Sequence, residues 1–148
     1  MELKPAQDLA ETLLKTHGLS HWQVRFDHAR ARCGSCNFDR QEITLSKHFV
    51  ALNDAQELRL TVLHEIAHAL VGPANGHNQR WQKVAFDIGA TGQTTNTSAQ
   101  MPKHRWGIQC QCCTAIVGRR HRRSLKLHWM RCGVCGTASA KLRWIALN

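Results

Sequence analysis

Residues 60–71 read Leu60-Thr-Val-Leu-His-Glu-Ile-Ala-His-Ala-Leu-Val71, and this stretch decides the reading of the chain. Within it His64, Glu65 and His68 form a His-Glu-x-x-His signature. The stretch is apolar-patterned and free of Gly and Pro, as a helix requires, and residues four apart on a helix share a face. His64 and His68 can therefore grip one metal ion while Glu65 points toward a water on it, the arrangement of a zinc hydrolase. Asn53, with Gln56 three residues later, supplies a capping-box-like start, and Gly72-Pro73 forces a stop, so the spacing predicts a helix over residues 54–71. Leu60, Leu63, Ala67 and Leu70 are its expected buried stripe.

A hydrolytic zinc usually takes three protein ligands and leaves the fourth position to water. After Glu65 the only carboxylate in the chain is Asp87, so the third ligand is His77, just past the helix stop, or else Asp87. His77 is the better candidate: it sits beside Gly76, whereas Asp87 lies in a further expected helix carrying Trp81, Val84, Ala85 and Ile88 and closing at Gly89. Glu65 is then the general base, taking a proton from the attacking water and returning it to the leaving amine. The chain has no tyrosine, so any oxyanion helper is a His, an Arg such as Arg80, or backbone N–H groups.

Upstream, residues 5–17 have the pattern of an amphipathic helix with Leu9, Leu13 and Leu14 on one side and Gly18 at the C-terminal cap. Trp22, Val24 and Phe26 alternate with polar residues as in a half-buried strand, and Glu42-Ile-Thr-Leu45 reads as a second. Arg32-Cys-Gly-Ser-Cys-Asn37 between them is expected as a turn, with Cys33 and Cys36 as small buried side chains beside it. Residues 91–105 lack periodicity and are rich in Gly, Thr and Ser, which reads as a linker between a domain at 1–90 and one at 106–148.

The second segment carries Cys110-Gln-Cys-Cys113 and, after eighteen residues, Cys132-Gly-Val-Cys135. That is zinc-ribbon spacing: four thiolates from Cys110, Cys113, Cys132 and Cys135 close a tetrahedral structural site, with Cys110 preferred to Cys112 by spacing. Ile108, Ile116 with Val117, the alternating Leu125, Leu127 and Trp129, and Leu142 with Trp144 predict short strands. His104, His121 and His128 read as surface or structural.

Charge divides the chain more sharply than its total of +10 conveys. Residues 1–99 hold ten Lys/Arg and all ten Asp/Glu, whereas residues 103–143 hold ten Lys/Arg and no carboxylate. Such a segment attracts a polyanion, and Arg119, Arg120, Arg122, Arg123, Lys126 and Arg131 are the candidate phosphate contacts. Trp106, Trp129 or Trp144 could stack on an unpaired base, although core packing is the expectation for each. No run of eighteen apolar residues and no signal-peptide pattern is present, so a soluble cytoplasmic chain without membrane association is expected, with nucleoid association an extension of the basic segment.

Ile43-Thr-Leu-Ser46, His64-Glu-Ile-Ala-His-Ala-Leu70, and Gly76-His77 followed by Trp81 resemble the SprT-like metalloprotease family, which includes the eukaryotic protease Spartan. The likeness covers roughly residues 5–90, with a C-terminal zinc ribbon like that of many bacterial members. It implies an α+β fold: a helical minigluzincin-like metalloprotease domain with a small antiparallel β element, followed by a small β-rich zinc ribbon. It also implies one catalytic Zn²⁺ on His64, His68 and His77, one structural Zn²⁺, and protein substrates. A role on DNA-bound or DNA-crosslinked proteins follows by analogy, with single-stranded or damaged duplex DNA as partner; the residues leave the oligomeric state open, a monomer being favoured. The competing classes are a nucleic-acid-binding zinc module with a vestigial or regulatory His site, and a protease whose ribbon is structural or protein-binding.

Overall fold

The computed structural model describes residues 1–94, 98–124, 127, 129–138 and 141–147. Two compact units are present, Met1–Pro102 and Lys103–Asn148. The first runs α1 (Leu3–Thr16), β1 (Gln23–Asp27), β2 (Gly34–Asn37), β3 (Glu42–Ser46), α2 (Lys47–Leu52), α3 (Ala55–Val71), a 3-10 turn (Pro73–Asn75) and α4 (Gln79–Asp87). The second holds β4 (Trp106–Cys110), β5 (Ile116–Arg120) and β6 (Leu142–Ala146). The class is α+β, a helical unit with a small sheet and then a β-rich unit.

Helix α1 buries Ala6, Ala10, Leu13 and Leu14, with Leu9 half-buried at the margin. Helix α3 begins one residue later than the capping-box reading places it. Asp54 is the N-cap and its carboxylate accepts the Glu57 N–H at 2.9 Å, while the Asn53 amide donates to the Phe49 carbonyl. The expected buried stripe is partly wrong: Leu63 and Ala67 are fully buried, but Leu60 is half-buried and Leu70 is 41% exposed. Because α1, β2, β3 and α4 all pack on α3, its buried residues include Leu58, Val62 and Ile66 and cover most of its circumference. The helix is thereby a rigid mount for whatever its remaining face carries.

The first sheet is mixed, not antiparallel as expected. Strand β3 is central, parallel to β1 and antiparallel to β2. The reason lies in residues 28–41. After β1 the chain leaves room for β3, lays down β2, and returns through a turn in which the Arg40 N–H bonds Asn37 Oδ1 at 3.0 Å and Gln41 takes φ 51°. Residues 34–37 are thus a strand rather than a turn, with Cys36 opposite Ile43. This leaves β2 at the sheet edge, packed against α3.

In the second unit β4 lies between β5 and β6, all antiparallel, over a core of Ile108, Cys110, Cys132 and Leu142. The expected Leu127 and Trp129 strand does not form, and Leu125 lies outside the described residues. Instead the chain turns, the Met130 N–H bonding the Leu127 carbonyl at 3.1 Å, which returns Cys132 to the side of Cys113. Leu127 packs on the small core, whereas Trp129 is 89% exposed and so does not have the core role expected of it. Trp106 and Trp144 are half-buried.

The stretch read as a linker is divided by the unit boundary. Gln100 exchanges two hydrogen bonds of 2.8 Å with the Asn53 side chain, and Met101 packs against the first unit's core. Among the described residues no helix is long and apolar enough to cross a membrane.

Candidate functional site

His64 and His68 stand one turn apart on α3, and three local devices deliver His77 to them. Gly72 ends the helix, its N–H bonding the His68 carbonyl at 3.0 Å, and Pro73–Asn75 winds the chain back as a 3-10 turn. Gly76 then adopts φ 47° and ψ −131°, a conformation that side-chain-bearing residues rarely take. Nothing lies within 4 Å of where its Cβ would be, so backbone conformation rather than close approach requires glycine there. Asn78 caps α4 by accepting the Trp81 N–H at 3.1 Å, which fixes the residue after His77.

The three imidazoles converge through their Nε2 atoms: His77 Nε2 is 3.1 Å from His64 Nε2 and 3.1 Å from His68 Nε2. Two nitrogens on a tetrahedral zinc at ordinary bond lengths are about 3.3 Å apart, so the donor set fits that ion. Trp81 is fully buried beneath the cluster, its ring centroid 4.7, 5.1 and 4.6 Å from those of His64, His68 and His77. One indole therefore sets the height of all three rings.

Burial, reinforced by the other two imidazoles, lowers the His64 pKa to about 4, and burial also lowers that of His68. Both are neutral at pH 7, the form that binds metal. The backbone carbonyl of Gln93 acts in the opposite direction on His64, favouring its protonated form.

Glu65 is only 8% exposed, and burial raises its carboxyl to about 7 against a partly offsetting attraction from Arg32. A carboxylate poised near neutrality suits proton transfer in both directions. Its neighbour across the cleft is Gly34 on β2. A cavity of about 340 Å³ opens beside Glu65 and His64, lined also by Cys33, Leu60, Thr61 and Met101.

Cys33 and Cys36, expected as small buried side chains beside a turn, are half-buried, and Cys36 lies in β2. Desolvation, with Glu65 nearby, raises both thiols, Cys36 to about 12, so they stay protonated and unreactive at neutral pH. The Cys33 thiol donates to Met101 Sδ at 3.7 Å. Asp87, the alternative third ligand, ends α4 and is absent from the clusters of potential ligands found among the described residues.

Cys110, Cys113, Cys132 and Cys135 form the second such cluster, every sulfur within 4.8 Å of the others. The Cys110–Cys135 and Cys113–Cys132 sulfurs are each 3.6 Å apart, against about 3.8 Å for two thiolates on tetrahedral zinc. Hydrogen bonding by the Thr137 hydroxyl and then its backbone lowers the Cys135 thiol to about 6, favouring the thiolate. Cys112 is exposed and outside the cluster.

Arg119 and Arg120 lie exposed on β5, Arg122 and Arg123 follow them, and Arg131 is exposed at the second knuckle. The Arg123 guanidinium stacks 4.5 Å over the Trp106 ring. Lys126 and His128 lie outside the described residues, while His104 and His121 stack with ring centroids 4.3 Å apart. Sequence reasoning missed Gly34 and Gln93. The glycine inside Cys33-Gly-Ser-Cys36 was a signal of close approach, but a residue acting through its backbone carbonyl leaves no mark in side-chain chemistry.

Residues 4–103 match the SprT-like family. The protein SprT of Pasteurella multocida (strain Pm70) is 29% identical over 109 residues, 68% of this chain and 64% of that protein, so the match spans less than two thirds of its relative. Among solved structures, the metallopeptidase zymogen of Methanocaldococcus jannaschii jannalysin is 17% identical with a TM-score of 0.51, covering 58% of this chain and 83% of that one. The Pyrococcus abyssi abylysin zymogen is 20% identical with a TM-score of 0.47, covering 54% and 75%. At its identity the jannalysin likeness speaks to fold, and it agrees with the helical minigluzincin-like fold expected for the first unit.

Proposed function

The chain belongs to the SprT-like family, and from that premise we propose that it is a zinc-dependent endopeptidase in which His64, His68 and His77 hold the ion and Glu65 is the general base. The observation that carries this is the convergence of three imidazoles, His77 Nε2 standing 3.1 Å from Nε2 of both His64 and His68, with a buried carboxylate on the helix that carries those two. When bound, the ion supplies a Lewis acid that acidifies water and polarises a carbonyl. Glu65, which lines the same cavity as His64, would accept a proton from a water at the mouth of the cluster and pass it to the departing amine. The surroundings that raise its carboxyl toward neutrality make the return step easy. Among the described residues no strand pairs with β2 on the side away from β3, and that edge offers backbone groups to an extended substrate, which would add as a further strand.

The basic unit directs this activity to proteins on DNA. No Asp or Glu follows Asp87 in the sequence to neutralise its exposed arginines, and the exposed Trp129 offers a ring to an unpaired base. Two zinc ions per chain follow, one for each cluster.

The test compares casein or histone cleavage by wild type and Glu65→Gln, with and without single-stranded DNA, together with metal analysis. A loss of at least a hundredfold in the variant at unchanged zinc content is expected. Equal cleavage by both would remove Glu65 from the mechanism.

A further inference from the structure

The cavity beside Glu65 has a chemistry of its own. It holds about 340 Å³ and shares His64 and Glu65 with the candidate site, so a group inside it adjoins the reacting carbonyl. A single water occupies about 30 Å³ of liquid, which leaves room for a whole side chain. Leu60, Ala31, Met101 and Cys33 give it apolar or soft walls. Its charged groups are already engaged: the Arg32 guanidinium pairs with Asp27, and Glu65 is the proposed base. A charged side chain of either sign would be attracted by one of these two groups and repelled by the other, with no net gain to offset the loss of its hydration.

Thr61 differs from the other two threonines on these walls, Thr91 and Thr94, which are exposed to solvent. It lies one turn before Glu65 on the same face of α3, is 5% exposed, and its buried hydroxyl has no hydrogen-bond partner among the described residues. A helical threonine commonly bonds a carbonyl one turn back, and this one does not. A step of about 120° in χ1 moves the hydroxyl out of its buried position into the place of the methyl group or of the Cβ hydrogen, on a residue that lines the cavity.

We propose that this cavity receives a substrate side chain flanking the scissile bond and selects uncharged chains ending in a hydrogen-bonding group, glutamine above leucine, through the Thr61 hydroxyl. The inference rests on the peptidase reading. Its physical basis is asymmetric: an amide head satisfies the unpaired hydroxyl, whereas a leucine of similar length fills the space and leaves it buried and unsatisfied.

The experiment measures binding of two peptide hydroxamates to the zinc-loaded full chain by calorimetry, identical except for a glutamine or a leucine side chain next to the zinc-binding group. Wild type is expected to bind the glutamine compound at least about fivefold tighter. Thr61→Val keeps the shape and removes the hydroxyl; it should lose that preference, retain affinity for the leucine compound, and melt no lower than wild type when metal-free. Equal affinities in wild type, or a preference that survives in Thr61→Val, would overturn the pocket assignment alone. Binding of neither compound, with no Glu65-dependent cleavage, would remove the peptidase reading and this inference with it.

Discussion

Gly34 on β2 lies directly against Glu65 on α3: a Cβ at position 34 would stand 3.1 Å from Glu65 Oε1 and 3.2 Å from its Cγ. On its other side it would meet the Thr44 carbonyl oxygen at 3.2 Å, a backbone atom held in the β2–β3 ladder. The sheet edge therefore defines where the carboxylate can be, and only a glycine leaves it there.

Gly34→Ala should consequently act on Glu65 and not on the metal. The ladder cannot yield, so the carboxylate shifts by a few tenths of an ångström, and a misplaced base costs about ten- to a hundredfold in kcat. Zinc content is expected to stay at the wild-type value, because the atoms nearest the new methyl group belong to Glu65 and Thr44 and not to a histidine. Steady-state kinetics with metal analysis checks this, and an unchanged kcat would show that β2 does not position the base.

The pH dependence of stability in the metal-free protein follows from the same burial. The folded-state pKa of Glu65, about 7, lies above its ordinary value of 4.5. Its contribution to stability is thus fully present below pH 4.5 and is lost as the pH rises through 7. His64, lowered to about 4, works in the opposite direction, losing stability as the pH falls below its ordinary value of 6.5. Comparison with Glu65→Gln isolates the carboxylate, since His64 is common to both. Between pH 5 and pH 8 the variant should gain about 2–3 kcal/mol on wild type, read by urea unfolding in chelator. A constant difference across that range would place Glu65 in a wetter environment than the fold provides.

Much of this was legible in advance because periodicity and ligand spacing are local. The His-Glu-x-x-His helix, the stop at Gly72-Pro73 and the two Cys-x-x-Cys knuckles each declare themselves within a few residues. The mixed sheet was not legible: whether β1 and β3 run parallel depends on where residues 28–41 place β2, a choice made by tertiary pairing. The stripe assigned to α3 failed for a related reason. A helix packed on several sides buries residues such as Leu58 and Val62 that lie off any single apolar face. Trp129 reversed its expectation because the return to Cys132 needs a turn where apolar alternation implied a strand.

The two metal clusters should separate by mutation. His77→Ala leaves only two imidazoles on α3 and is expected to halve the zinc content from two ions to about one, with the fold of the first unit kept by a core that includes Phe49, Leu63 and Ile66. Cys132→Ser should also remove one ion, but it should unfold the second unit as well, whose core is little more than Ile108, Leu142 and two of the cluster cysteines. Cys112→Ser should retain both ions, because its thiol is exposed and outside the cluster. Metal analysis and tryptophan fluorescence distinguish the three. Loss of zinc in Cys112→Ser would mean that Cys110 and Cys112 exchange roles.

The nucleic-acid binding proposed for the basic unit has a quantitative signature. Each phosphate neutralised releases counterions, so log K falls linearly with log salt, by about 0.7 per contact on single strands. Arg119 and Arg120 are exposed neighbours on β5, and Arg123 is already stacked on Trp106. Removing the first pair with Arg119→Ala/Arg120→Ala should reduce the slope by about 1.4 and weaken binding to all sequences alike. Trp129→Ala should behave differently: a stacking contact carries no counterions, so affinity for single strands is expected to fall by about fivefold or more with the salt slope unchanged. Fluorescence anisotropy at several salt concentrations measures both. A salt slope near zero in wild type would assign the basic surface to solubility and leave the first unit to find its substrates without DNA.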